Sequence, residues 1–216
     1  MRLGIVCGLQ SEKAALGSIN HPVAVAGASA SRAYACAQQL AADGAECLIS
    51  VGLAGGLMPH LKTGDLLLPR EVLNTEGERF PTHPLSQDLP RPADGAPILG
   101  SDDLIASAED KARLAETFGA SAVDMESHAV GMVAQQKHLP FYAIRVVADP
   151  STQVLPVSTS GAVAEDGSVN TMVTLRGLLS RPQDLPELLR LGRQASKGLS
   201  VIKTDGRAII DAIARA

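Results

Sequence analysis

Short apolar runs ended by glycine, proline or an acid recur along the chain, with helical patterns interspersed among them. Arg2–Cys7, Val23–Val25, Cys47–Val51, Leu66–Leu68 and Phe141–Ala148 are predicted strands, and their near-continuous apolar character suits parallel strands covered on both faces. Helices are predicted through Lys13, Ala14 and Ala15, and from near Arg32 to about Ala42. A third, Leu104 to about Phe118, follows a Ser101-Asp102-Asp103 cap and carries Lys111, Arg113 and Glu116 on its wet face. A fourth starts at Ser127, repeats Ala129, Val130, Val133 and Ala134 at helical spacing and is closed by Leu139-Pro140. Residues 75–97 are polar and proline-rich and are expected to be irregular, not a strand pair. Leu175, Leu178, Leu179, Leu185, Leu188, Leu189 and Leu191, set among arginines, predict helices for core or oligomer contacts, with a last helix over Ser200–Ala216. With no low-complexity linker, this alternation predicts one α/β domain over residues 1–216.

Open α/β sheets take ligands at the carboxyl ends of their strands, so acids and glycines there are candidates. Asp149 ends the last predicted strand, and Glu12 stands just inside the turn after the first. Asp124 and Glu126 flank Met125 and cannot share a helix face, so one is free to face a pocket while the other caps or opens the helix. Each acid also has a plain structural explanation, as a helix-start acid or, for Asp149, a turn residue before Pro150. Gly27, Ser29 and Arg32 precede a helix N-terminus, a setting for an anion or merely a capping serine and an exposed arginine. Gly55 and Gly56, within Gly52-Leu53-Ala54-Gly55-Gly56-Leu57, allow close backbone approach to a ligand or a simple tight turn, and Gly64-Asp65 is a structural turn.

The formal charge of −4 and pI near 5.7 argue against a nucleic-acid surface, and 2% aromatic residues require a core of aliphatic and alanine packing. Cys7, Cys36 and Cys47 are scattered in apolar settings and read as reduced core thiols; with His83 lacking a second histidine at metal spacing, no metal is expected. Met1-Arg2 leads straight into a strand and no run suits a membrane span, so a cytoplasmic protein is expected.

The run Ala122-Val123-Asp124-Met125-Glu126-Ser127, then Ala129, then Leu139 to Asp149, resembles the signature of the nucleoside phosphorylase and nucleosidase superfamily. Within it the chain resembles the methylthioadenosine/adenosylhomocysteine nucleosidases, and most of all the hopanoid-associated phosphorylase group. The resemblance implies a three-layer α/β/α nucleoside phosphorylase-like fold with a central mixed, mostly parallel sheet. It implies cleavage of the N-glycosidic bond of adenosylhopane, releasing adenine and a ribosyl or phosphoribosyl hopane. Carried over position by position, Met125 packs beneath the ribose, Glu126 accepts hydrogen bonds from its hydroxyls, Asp149 protonates the purine at N7 and Glu12 activates the attacking water. Gly55 and Gly56 fall on the loop lining the ribose and nucleophile side, and Gly27, Ser29 and Arg32 on the loop that binds phosphate in phosphorylases. No cofactor is implied, with phosphate the one candidate co-substrate. The implied partners are a nucleoside or lipid nucleoside, further copies of the chain and, for a lipid substrate, the inner membrane surface through the basic leucine-rich helices.

Three departures accompany the resemblance: Ala148 stands where Ser precedes the aspartate, Leu53 stands where nucleosidases often have Ser, and the Ser-Gly-Asp segment with its purine-stacking phenylalanine is missing. Phe118 or loop residues are then left to build the base pocket, with room for a bulkier substrate. The alternatives are a phosphate-dependent phosphorylase, an ordinary methylthioadenosine/adenosylhomocysteine nucleosidase, and a noncatalytic nucleoside-binding module. Glu12 favours water as nucleophile, whereas Arg32 and its loop favour phosphate.

Overall fold

The computed structural model describes residues 1–85, 92, 95–156, 163–164, 166–168 and 182–215. In chain order the elements are β1 (Leu3–Cys7), α1 (Gln10–Leu16), β2 (Val23–Val25), α2 (Ala30–Ala42), β3 (Cys47–Gly56), β4 (Leu66–Leu67), β5 (Glu71–Leu73), β6 (Arg79–Pro81) and β7 (Ile98–Gly100). They continue with α3 (Ala108–Phe118), β8 (Ala122–Asp124), α4 (Ser127–Lys137), β9 (Phe141–Asp149), α5 (Leu185–Val201), a π-helical turn (Ile202–Gly206) and α6 (Arg207–Arg215).

The sheet is mixed and mostly parallel. β2, β1, β3 and β9 lie side by side in parallel, with Ile5 opposite both Val23 and Ile49, and Leu48 opposite Phe141. β7 joins β5 and β8 in parallel, while β8 meets the far end of β3 antiparallel at Gly55 and Gly56. A register shift between Ala54 and Gly55 sets Gly55 opposite Asp149. That irregularity aims the end of β9 at the glycine-rich end of β3.

α2 and α4 cover one face of the sheet over a core of alanine and valine, including Ala33, Ala37, Ala129, Val130 and Val133. α1, α5, the π-helical turn and α6 cover the other, where Ile202, Ile209, Ile210 and Ile213 meet Ile5, Ile49 and Ile144. The three-layer α/β/α arrangement follows from strands that are buried on both faces. Ser29 caps α2, Ser107 caps α3, and α3 ends at Gly119 in the left-handed region with φ 62°.

Four sequence expectations change. Residues 104–107 are not helical: α3 begins at Ala108 after its Ser107 cap, and Lys111 faces inward with no solvent exposure instead of lying on the wet face. β3 runs on through the glycine cluster to Gly56, because backbone partners on β8 and β9 extend the ladder beyond the apolar run. Residues 122–124 form a strand, so Asp124 ends β8 and is not within a helix. Arg79–Pro81 pairs antiparallel with Glu71–Leu73, giving the strand pair that the proline content argued against, while residues 86–91, 93 and 94 lie outside the described residues. Leu175, Leu178 and Leu179 lie outside them as well. No helix among the described residues is long and apolar enough to cross a membrane.

Candidate active site

The carboxyl ends of β1, β3 and β9 open into a cavity of about 390 Å³ lined by Glu12, Arg32, Gly55, Met125, Glu126 and Asp149, among others. Its lining is predominantly apolar, with Leu9, Leu53, Leu104 and Val163 around the acids. Four further carriers of the predicted chemistry are accounted for locally. Gly27 lines the same cavity; Ser29 instead caps α2 and lines a neighbouring cavity that shares Ala28; Gly56 packs against Asp149 and Pro150 backbone; Asp65 accepts a hydrogen bond from Lys62 N at 2.8 Å as a turn residue.

Glu12 is drawn into the cavity wall by backbone donors. Its Oε2 accepts from Gly8 N and Leu9 N, each at 2.8 Å, and Oε1 accepts from Leu53 N at 2.8 Å. The turn after β1 is thereby tied to β3 through one side chain. Burial pushes the Glu12 carboxyl up from its ordinary range, against the pull of those N–H donors and Arg145. Glycine is required on both sides of this arrangement, since a Cβ on Gly52 would sit 2.8 Å from Glu12 Oε1 and one on Gly8 2.6 Å from Glu126 Oε1.

Asp124 and Glu126 differ in their partners. Asp124 turns back into the fold: Ser127 Oγ donates to Asp124 Oδ2, Ser127 N approaches the same oxygen at 3.2 Å, and Arg145 Nε donates to it at 2.5 Å. Arg145 also donates to Ser50 Oγ at 2.7 Å and reaches Glu126 Oε2 at 3.7 Å. Glu126 borders the cavity, and its carboxyl is pushed up by burial first and by Asp124 second, with Arg145 opposing. One buried guanidinium thus faces two neighbouring acids.

Asp149 ends β9 beside Gly55, whose Cβ, if present, would lie 3.4 Å from Asp149 Oδ2. Its partner is the fully buried Lys111 of α3, which donates to Asp149 Oδ2, to Gln153 O at 3.0 Å and to Pro150 O at 3.2 Å. Burial pushes the Asp149 carboxyl up, and Lys111 pulls it down.

Arg32 borders the cavity with its donors turned to backbone: Nε donates to Ala26 O at 2.7 Å and Nη2 to Gly27 O at 2.6 Å. It braces the loop after β2, whose Gly27 and Ala28 have φ of 66° and 50°. Cys7 is buried beneath this region, its thiol pushed up by burial and then by Glu12, so it stays an un-ionised core group.

Two residues escaped the sequence reading. Lys111 shares a stripe with Leu114, Ala115 and Phe118, and a lysine at a core position of a helical period is the available signal. Leu104, exposed by 46%, stands over the cavity beside Met125, Val123 and Asp149 because Ser101–Ile105 leaves β7 as a loop. Phe118, expected as a base-pocket wall, packs instead against the cluster of Leu57, Leu73, Leu99, Ala120 and Val123. The signal for Leu104 is the Gly100-Ser101-Asp102-Asp103-Leu104 run after an apolar strand, read above as a helix cap.

A model of the Phosphorylase superfamily matches residues 10–110 and 86–179. The chain belongs to that superfamily. It is an enzyme of the kind that cleaves N-glycosidic bonds. Among curated proteins it is similar to the 5′-methylthioadenosine/S-adenosylhomocysteine nucleosidase of Staphylococcus aureus, 24% identical over 161 residues that make up 63% of this chain and 70% of the relative. Among solved structures it is similar to the 5′-methylthioadenosine/S-adenosyl homocysteine nucleosidase of Helicobacter pylori, with TM-score 0.71, 16% identity and 98% of each chain covered. The futalosine hydrolase of Helicobacter pylori is a further likeness, with TM-score 0.62, 18% identity, and 83% of this chain and 97% of the other covered. Both structural likenesses carry the fold.

Proposed function

We propose that this superfamily member is a purine nucleosidase that hydrolyses the N-glycosidic bond of an adenine nucleoside. The observation that carries the reading is the placement of Glu12, Glu126 and Asp149 around one cavity at the carboxyl ends of the strands, Glu12 held by backbone N–H groups, Asp149 by Lys111, and Glu126 facing Arg145 at 3.7 Å. Departure of the base leaves positive charge on the anomeric carbon and negative charge on the purine, so an acid at one end and carboxylates at the other fit the transition state. Asp149, kept high by burial, passes its proton to the purine; Glu126, which lines the cavity with Met125, accepts from the ribose hydroxyls; Glu12 takes a proton from the attacking water. No cofactor takes part in this scheme.

Water is favoured over phosphate by charge. The cavity presents Glu12 and Glu126, Arg145 is committed to Asp124 and Ser50, and Arg32, which lines the cavity, turns two of its donors to the Ala26 and Gly27 carbonyls. A phosphate dianion would have to lie against two acids, with Arg32 as its one cavity-lining cation among the described residues.

For the substrate we retain adenosylhopane. The apolar wall of Leu9, Leu53, Leu104 and Val163 supports a hydrophobic 5′ substituent, and Leu185 and Leu189 on α5, exposed by 44% and 53% and followed by Arg190, support contact with a lipid surface. Methylthioadenosine and adenosylhomocysteine are the second reading, favoured by the names of the relatives. The test is adenine release, with mass spectrometry of the sugar product, from adenosylhopane and methylthioadenosine with and without phosphate. Adenine and a free ribosyl product without phosphate are expected; a sugar-1-phosphate would replace hydrolysis with phosphorolysis, and faster turnover of methylthioadenosine would replace the lipid.

A further inference from the structure

We infer that Lys111 is a positioning residue that sets the orientation and acid strength of Asp149; this rests on the nucleosidase reading above. Lys111 lies on the inward stripe of α3 and has no solvent exposure, and its ammonium has three acceptors for its three protons: Asp149 Oδ2, Pro150 O and Gln153 O. The last two belong to the turn that follows β9, closed by Gln153 N donating to Pro150 O at 3.0 Å. Lys111 therefore fixes both the carboxyl group and the backbone that carries it.

A lysine is an unusual choice for this place. A buried ammonium is costly to desolvate, and an apolar side chain of similar length would fill the space beneath β9 without that cost. What the ammonium adds is charge on one oxygen of Asp149, leaving Oδ1 with no side-chain partner among the described residues. In the step itself the proton leaves the Asp149 carboxyl for the purine nitrogen, the electrons of the glycosidic bond pass to the purine, and the new carboxylate is left against the ammonium. The product side of the transfer is stabilised more than the reactant side, which makes Asp149 a stronger acid toward a poor leaving group. The other ionisable side chains bordering the cavity are Glu12, Arg32, Asp124 and Glu126, and Asp103 borders the adjoining cavity that Asp149 also lines; among the described residues the group in ion-pair contact with Asp149 is Lys111.

The experiment compares wild type, Lys111→Met, Lys111→Arg and Asp149→Asn on adenosine-type substrates and on a 4-nitrophenyl riboside, whose leaving group departs without protonation. For K111M the expected result is a fall of about 100-fold in kcat for the adenine nucleoside with KM little changed. The same variant should lose less than about threefold on the nitrophenyl riboside, as should D149N, and K111R should recover part of the adenine activity. The basic limb of the K111M pH profile should move upward, since the charge that favours the carboxylate is gone. Equal losses on both substrates, or an unmoved basic limb, would overturn the assignment. Carbon-13 NMR of the Asp149 carboxyl, assigned by D149N, separates this from the parent reading. If wild type cleaves neither substrate the nucleosidase reading fails, and a carboxyl that titrates at the same pH with and without Lys111 overturns the inference in either case. Thermal melts of K111R identify any loss that is merely a failure to fold.

Discussion

Arg145 Nη2 lies 2.5 Å from Asp124 Oδ2, and both side chains are wholly excluded from solvent. The same guanidinium faces Glu126 at 3.7 Å, so its removal would leave two buried acids in one another's field. Arg145→Met is expected to destabilise the protein by about 3–5 kcal/mol, the range for breaking a buried pair from one side. Arg145→Lys should fall between, because an ammonium keeps the charge but cannot reach Asp124, Ser50 and Ile144 O together as the forked group does. Denaturant unfolding of the three proteins checks the order, and an R145M midpoint equal to wild type would remove Arg145 from the electrostatic account.

Glycine at position 8 keeps Glu126 in place. A methyl there would lie 2.6 Å from Glu126 Oε1 and 2.9 Å from its Cδ, so Gly8→Ala must displace the carboxylate that borders the cavity. The expected outcome is a rise in KM with a fall in kcat, together roughly 10–100-fold in kcat/KM, about 1.4–2.7 kcal/mol of transition-state stabilisation. Gly192→Ala is the counterpart. Within α5 its Cβ would meet open space, so it should leave kinetics unchanged and raise stability by about 0.5–1 kcal/mol through helix propensity. Steady-state kinetics and melting curves measured side by side decide both.

The contrast between Asp124 and Lys111 explains what the sequence made legible. The strands were readable because β1, β3 and β9 are buried on both faces and therefore apolar along their length, and the acids at their ends stood out against that background. Asp124 and Glu126 differ in partners, Asp124 being tied to Ser127 and Arg145, but the helical spacing that suggested a division does not apply where Asp124 ends a strand, and both border the cavity. Lys111 and Leu104 were not legible in the same way, since each meaning depends on where α3 starts. Moving that start from Leu104 to Ala108 frees a loop to carry Leu104 over the cavity and turns Lys111 inward. The extension of β3 to Gly56 was equally hidden, because backbone hydrogen bonds to β8 and β9 stabilise it where glycine propensity would not.

Stability should respond to pH through Glu126. Its folded pKa is raised, by burial first and Asp124 second, so the native state holds this proton at pH values where the unfolded chain has released it. A raised acid contributes stability that is fully present below the unfolded pKa, ordinarily near 4.5, and that is lost as pH rises through the folded value. Glu126→Gln removes this contribution. The difference in unfolding free energy between E126Q and wild type should therefore move in favour of the variant from pH 5 to pH 8, by at most about 1.4 kcal/mol per pH unit, and the difference in Tm should move with the same sign. Melting curves at constant ionic strength test the sign, and a difference that stays flat would mean that Arg145 keeps Glu126 ionised throughout.

The choice of nucleophile separates Glu12 from Arg32. Glu12 is held by three backbone donors at 2.8 Å, and converting it to glutamine would set an NH2 against at least one of those N–H groups. Glu12→Gln is thus expected to lose about 10²–10⁴-fold in hydrolysis, with a lowered Tm that must be measured alongside. Arg32 braces the loop carbonyls of Ala26 and Gly27, so Arg32→Met should change KM by a fewfold through the loop, with hydrolysis still independent of phosphate. A phosphorylase predicts the reverse pattern: Arg32→Met would abolish a phosphate-dependent reaction, and Glu12→Gln would spare it. Assaying both variants across a phosphate series, with the sugar product identified by mass, therefore distinguishes a water-activating Glu12 from a phosphate-binding Arg32 within one data set.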